Sequence, residues 1–442
     1  MEQQNILNPT SAIIIILLIS FSFVLVGFFY SKKFKGLNNY LVANRSVGTF
    51  SLTCSLVASA LGTWILFGPA SAATWGGIGA VIGYSLGTAF PLFAIIFIGK
   101  VFRTSYPKAK TLIEVIRLRF GKHIFKLILI LSIFYMTIFL IAEVTAVSIL
   151  INYISGTKLW ITALIVISSS LIYTLYGGLR ASIFTDNIQF IVFTLLLLIA
   201  FSYLFSFNTN EFSFEFINKN KPNLLSKNYI PNFTAGLTFF IAVAATNLFH
   251  QGNWQRVYAA KNNDVLKKSL LFSFLIIIPI VYMMGFTGLV SVSKNLNVTP
   301  DLAFFSLLLN EEIFTLSVIV IVLAISLTIS SIDTLINAIS SLIIVDGKKI
   351  LSSNKDYLKL SKNIIVGLSL ISLYVASKGF SILYLFLLAD LFCCAAVLSI
   401  FYSFYSKSFS EKTAYISIIV GLLGGILPVS YTHLTLPTIN WV

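Results

Sequence analysis

From Ser46 to Gly99 the chain carries no charged residue. A transmembrane helix needs about 20 consecutive apolar residues, so a run this long reads as two spans joined back to back. The rest of the sequence agrees. It has 442 residues, 57% hydrophobic and only 10% charged, with a mean hydropathy of +0.94, where a soluble domain carries about 25% charged residues. A membrane β-barrel would alternate apolar and polar positions in segments of about 10 residues. Stretches such as Ala12–Leu18 and Ile276–Val281 do not alternate. An all-α integral membrane protein is expected.

Apolar runs place twelve spans near 11–30, 48–72, 76–99, 124–154, 159–176, 184–206, 233–255, 269–292, 310–346, 363–377, 380–405 and 413–429. The formal charge of +15 is distributed unevenly around them. With the N-terminus outside, only Lys158, Lys219, Lys221, Lys227, Lys294 and Lys378 fall on the outer side, and the other 24 of the 30 Lys and Arg lie inside. That bias follows the positive-inside rule. The basic charge therefore reads as a topology signal and not as a nucleic-acid site. Clusters such as Lys348–Lys349 can also meet anionic lipid heads. The expected setting is a bacterial-type inner (plasma) membrane, with no obligatory protein partner and no cofactor. No basic region precedes the first apolar run and no small-residue cleavage site follows it, so that span is expected to be retained. Cys54, Cys393 and Cys394 lie in spans without metal-ligand spacing and read as packing residues.

The span count suggests a lead helix with its loop over 1–46, a five-helix unit over 47–206, an outer loop over 207–232, a second five-helix unit over 233–406 and a trailing helix beginning at 407–428. Units with an odd number of spans must point in opposite directions, the geometry of inverted-repeat transporters. Residues 429–442 break the style of the chain and resemble a translated adapter fragment. They read as a non-native tail, and His433 carries no expectation.

The first span of each unit looks interrupted. The second span holds Ala58-Ser59-Ala60-Leu61-Gly62-Thr63, and the seventh holds Thr246-Asn247-Leu248-Phe249-His250-Gln251-Gly252-Asn253. Broken backbone at membrane depth is tolerated only where it lines a cavity or is buried in protein, and paired broken helices point to a substrate site. Small residues also serve close helix packing. Ionisable groups in spans are functional candidates because they are costly there. Four occur: Glu143, Asp186, Asp333 and Asp390. Asp186 is expected to pair with Arg180 or to cap the helix starting at Ile188. Ser330, Ser331 and Asp333 within one turn offer the oxygen ligands a small hard cation prefers, or the two hydroxyls simply bond back to the preceding turn. Glu143 and Asp390 must find partners on other helices. No GxSxG, P-loop or paired metal motif is present, so an enzyme is not expected.

The segment Gly177-Gly178-Leu179-Arg180-Ala181-Ser182-Ile183-Phe184-Thr185-Asp186-Asn187-Ile188-Gln189 resembles the signature of the solute:sodium symporter family. Asn44-Arg45-Ser46-Val47-Gly48, Trp254-Gln255-Arg256-Val257-Tyr258-Ala259-Ala260-Lys261, and Ser330-Ser331-Ile332-Asp333-Thr334 followed by Ala338-Ile339-Ser340-Ser341 and Asp346 resemble further blocks, in family order. The resemblance implies a leucine-transporter-type inverted-repeat core of five plus five helices. It implies a coupling sodium ion held by the carbonyls of Ala58, Leu61 and Leu327 and the hydroxyls of Ser330 and Ser331, and a solute beside Ala60, Gly62, Thr63, Trp64, Asn247, His250 and Gln251. Sodium/proline permeases carry Asp and Ser at the positions of Ala60 and Gly62, which this chain lacks. Asp333 is expected to replace that charge at the sodium site. Asp186, Arg180, Glu143 and Asp390 are expected to have gating or structural roles. The function implied is sodium-coupled symport of an amino acid, urea or carboxylate. A proton-coupled or uncoupled carrier and a membrane sensor module are the alternatives.

Overall fold

The structure is a computed structural model that describes residues 6–34, 36–207, 210–296, 299–309, 313–351, 356–406 and 408–435. Helix α1 (Pro9–Ser31) starts on an Asn8 cap, and the short α2 (Leu37–Val42) leads to α3 (Thr49–Ala60). The chain then passes through a 3-10 turn, Thr63–Leu66, into α4 (Gly68–Ser105), which is split at Gly77. Next come α5 (Leu112–Phe120), α6 (Lys122–Ser155) and α7 (Leu159–Phe207). The second half begins with α8 (Phe214–Asn220), α9 (Ile230–Phe249), α10 (Gln251–Ala259) and α11 (Asn263–Ser293). It continues with α12 (Ala303–Leu308), α13 (Phe314–Leu342), α14 (Lys348–Leu351), α15 (Tyr357–Ala376), α16 (Ile382–Tyr402) and α17 (Glu411–Thr435). Nine helices among the described residues are long and apolar enough to cross a membrane.

That count is lower than twelve for a physical reason. Helix α7 has 49 residues, about 73 Å at 1.5 Å per residue, far beyond a bilayer core of about 30 Å. Gly178 (φ 58°) divides it. Tyr173 and Thr185 would stand about 18 Å apart along a straight helix, yet both hydroxyls donate to Oδ2 of Asp333. The two halves of α7 therefore fold side by side. The expected loop over 177–183 is helical, and the reversal needs one residue. Likewise α3 with the start of α4 makes up the second span, and α9 with α10 the seventh.

Small residues set the packing. Gly79, Gly83 and Gly87, four apart on α4, meet the backbone of Asn232, Gly236 and Phe239 on α9 so closely that added Cβ atoms would collide. Without a hydrophobic drive between helices in lipid, such smooth faces give the contact area that holds them. The exposed apolar side chains, including Leu18, Phe97, Leu198 and Leu275, are those a bilayer would cover.

The basic end is tied by arginines on free carbonyls. Arg103 donates to Val257 O at 2.6 Å and Ala260 O at 2.9 Å, and Arg119 to Ser403 O at 2.9 Å. Val47 pairs with the chain around Ala260, donating to Ala259 O at 3.1 Å and accepting from Lys261 N at 3.0 Å. The start of the first interrupted span and the end of the second are thus joined at one end of the molecule. Of the anomalous tail, 436–442 lie outside the described residues.

Candidate functional site

Both interruptions lie where small and polar residues foretell them. Helix α3 ends at Ala60, Leu61 leaves the helical region (φ −102°, ψ 85°), and Gly62 is extended. Among the described residues no backbone N–H closes on the carbonyls of Ala58 or Leu61. The N–H of Thr63 turns to Oε2 of Glu143 at 2.8 Å. A carboxylate from α6 thereby caps the positive end of the part of the span that follows the break. In α9 the break is at His250 (ψ 106°), whose Nδ1 accepts from Gly252 N at 3.1 Å. In a neutral imidazole that bond leaves the proton on Nε2, free to donate.

Gly62, Glu143 and Ser331 converge. A Cβ at Gly62 would collide with Oε1 of Glu143 and meet Oγ of Ser331 at 2.5 Å. Oε1 of Glu143 is buried and accepts no hydrogen bond among the described residues. Beside it, the Thr63 and Thr328 hydroxyls bond each other. Gly62, which follows the released carbonyls of α3, and the Ser331 hydroxyl are therefore neighbours across the α3–α13 contact. Leu327, one turn before Ser331, sits in unbroken helix.

The other expected polar residues have partners of their own. The Ser330 hydroxyl donates to Oδ1 of Asp186 at 2.7 Å. Asp186 neither pairs with Arg180 nor caps a helix, since it lies inside the second half of α7, after Gly178. Its partner is Arg256 at 2.7 Å, both side chains fully buried. Arg180 donates instead to Ala43 O and to Ser46 Oγ. Asp333 does not replace a missing charge beside Gly62. Residues 331 and 333 point about 200° apart on a helix, so with Ser331 facing Gly62, Asp333 faces α7. There it accepts from Tyr173 at 2.6 Å and Ser182 at 2.9 Å.

A cavity opens next to the two breaks. Ala60, Trp64, Asn247 and His250 line it as expected, whereas Gly62, Thr63 and Gln251 do not. Gln251 is used at the basic end, where it accepts from Leu112 N at 3.1 Å and donates to Ser341 at 3.3 Å. Ser59, Tyr84, Phe139, Val243, Thr246, Phe386 and Asp390 complete the lining. Several carried a readable signal. Phe139 and Phe386 stand four residues before Glu143 and Asp390, and Val243, Thr246 and Asn247 precede His250 by seven, four and three, so each shares a helix face with a residue already singled out. Tyr84 carried none.

The comparisons with known proteins agree with this architecture. A family model for the sodium:solute symporter family matches residues 40–421. The chain is 27% identical over 278 residues to the spermidine transporter DUR31 of Candida albicans, covering 63% of this chain and 52% of that protein. It is 31% identical over 205 residues to the sodium/glucose cotransporter 1 of Mus musculus, covering 44% and 29%. The match thus spans about half, or less, of the curated relatives' own length. In three dimensions the chain resembles a Na+-coupled sialic acid symporter in a substrate-bound outward-open state, with a TM-score of 0.68 at 17% identity over 94% of this chain and 98% of that one. It resembles Mhp1, a nucleobase-cation-symport-1 transporter, with a TM-score of 0.57 at 13% identity, over 91% and 96%. The fold is the leucine-transporter type, with helices among the described residues long and apolar enough to cross a membrane. The chain belongs to the sodium:solute symporter family.

Proposed function

We propose that this chain moves a small polar organic solute together with sodium by alternating access, from an N-terminus-outside position in a bacterial-type inner membrane. The reading is supported by the Ser331 hydroxyl lying against Gly62, directly after the break that leaves the carbonyls of Ala58 and Leu61 unclosed. These are uncharged oxygen donors, the ligand type a small hard cation takes. Ser330 keeps an oxygen lone pair while it donates to Asp186 and can join them. A sodium ion there bridges the interrupted span to α13, and it favours whichever state brings the two together. One sodium ion crossing 100 mV contributes about 2.3 kcal/mol. A tenfold gradient adds about 1.4 kcal/mol, enough together for a solute ratio on the order of several hundredfold. Amino acid, urea and carboxylate solutes were the classes expected, and family relatives named for spermidine and for glucose leave the class open.

A second reading, proton coupling, is favoured by Oε1 of Glu143, which is buried without a donor. One experiment separates the two. Thermal stability of the purified protein is measured in sodium, lithium and potassium for wild type and Ser331→Ala, across a range of pH. Sodium-specific stabilisation that Ser331→Ala loses supports sodium between α3 and α13. Stability indifferent to sodium, with uptake driven by a pH gradient and lost in Glu143→Gln, supports the proton.

A further inference from the structure

The cavity beside the breaks has walls of a particular chemistry. Trp64 stacks with Tyr84 at 5.5 Å between centroids and meets Phe386 edge-on at 6.5 Å. Phe386 meets Phe139 at 4.7 Å, and Phe139 meets the His250 ring at 6.3 Å. The indole is pinned by its bond to Ala60 O at 3.2 Å. An unbroken arc of rings therefore faces the space. Into the same space reaches Asp390, 6% exposed, whose Oδ1 accepts from Thr246 at 2.5 Å. Its second oxygen accepts no hydrogen bond among the described residues, and no Lys or Arg lines the cavity.

A carboxylate removed from water and left without a cation is costly, and the natural remedy is a cation supplied by what binds. Sodium itself suits this place poorly, because it seeks several oxygens and the walls are rings. An organic ammonium fits both features. Its N–H groups meet the carboxylate and its charge lies against the negative faces of the aromatic rings. A solute whose only charge is a carboxylate would face Asp390 with no positive partner.

We propose that the transported solute is an organic ammonium ion, held between the Asp390 carboxylate and the rings of Trp64, Tyr84, Phe139 and Phe386. The inference rests on the transport reading above and names the solute class for the same cavity. Asn247 and the Nε2–H of His250 remain for polar groups elsewhere on the solute, which admits zwitterionic amines as well as simple ones.

The test is ligand-induced thermal stabilisation in saturating sodium, with potassium as the replacement ion, since choline would itself be a candidate solute. Ethanolamine, putrescine and spermidine are compared with glucose, urea and acetate, and each diol is set against its amine counterpart, ethylene glycol against ethanolamine and 1,4-butanediol against putrescine. At least one amine is expected to stabilise wild type, its hydroxyl counterpart to fail, and Asp390→Asn to weaken the amine about 10- to 100-fold. Asp390→Asn should keep its sodium response, so a lost sodium response in wild type would count against the transport reading instead. The inference is overturned if glucose, urea or acetate binds and no amine does, if amine and diol bind alike, or if Asp390→Asn binds the amine as tightly as wild type. Should that variant fail to fold, the amine–diol comparison in wild type decides alone.

Discussion

Arg256 and Asp186 stand 2.7 Å apart, both fully buried, on helices from opposite halves of the chain. Arg256 also donates to Ser55 Oγ at 2.7 Å, Gly252 O at 3.1 Å and Thr334 at 2.8 Å, while Asp186 accepts from Ser55 and Ser330. One ion pair therefore ties together α3 and α10 of the two interrupted spans with α7 and α13. Breaking a buried pair from one side leaves an uncompensated charge and costs about 3–5 kcal/mol, whereas replacing both partners by apolar groups is often near neutral. Asp186→Asn or Arg256→Met should each lower the unfolding midpoint sharply. The double variant Asp186→Leu, Arg256→Met should lose much less than the sum. A sum-like loss in the double variant would mean that the hydroxyl and carbonyl contacts hold this junction and the charges do not.

Asp333 makes a different prediction from the one its sequence position invites. Its carboxylate is turned to α7 and satisfied by the hydroxyls of Tyr173, Ser182 and Thr185. Tyr173→Phe removes a buried donor to a carboxylate, a loss of about 1.5–3 kcal/mol in stability. Asp333→Asn should likewise destabilise the protein while leaving sodium-specific stabilisation intact. Loss of the sodium response at unchanged stability would return Asp333 to the ion.

Gly178 is the hinge on which α7 reverses. Its φ of 58° suits glycine, and a Cβ there would collide with the Tyr40 ring. Gly178→Ala combines left-handed strain of about 1–2 kcal/mol with a steric clash. Reduced yield of folded protein is expected, and Tyr40→Ala in the same chain should recover part of it. If Gly178→Ala alone folds with an unchanged midpoint, the reversal does not depend on glycine.

Much of this was legible from residue order because lipid forces every backbone group to bond within its own helix. Spans and the interruptions at Gly62 and His250 follow from apolar length and from runs of small or polar residues. What order does not carry is rotation. Ser331 and Asp333 are two residues apart, and which of them faced Gly62 depended on how α13 packs. The same holds for Asp186, whose partner Arg256 lies seventy residues away while the nearer Arg180 bonds backbone at the basic end. The cavity's rings come from separate parts of the chain: Trp64 and His250 at the breaks were named in advance, the helix-face spacing of Phe139 and Phe386 hinted at two more, and nothing pointed to Tyr84.

At the opposite end from the arginine clamps, Asp301 accepts from Ser71 at 2.9 Å. This joins the segment between α11 and α12 to the start of α4, where the second span ends. Burial pushes the Asp301 carboxyl above its usual value near 3.8, against the opposing pull of the Ser71 hydroxyl, the Ile382 N–H and the Ser381 hydroxyl. A carboxyl whose pKa is raised on folding binds its proton more tightly in the folded state. Its contribution to stability is therefore full below about pH 3.8 and is lost as pH rises through the raised folded value. Asp301→Asn keeps an acceptor for Ser71 and removes the charge. The midpoint difference between wild type and Asp301→Asn, followed from pH 4 to pH 8, should move steadily in the variant's favour as pH rises. A difference that stays constant with pH would show that burial does not govern this carboxyl. A difference moving toward wild type would show that the hydrogen bonds to its ionised form outweigh burial, and that the contact with Ser71 strengthens on ionisation.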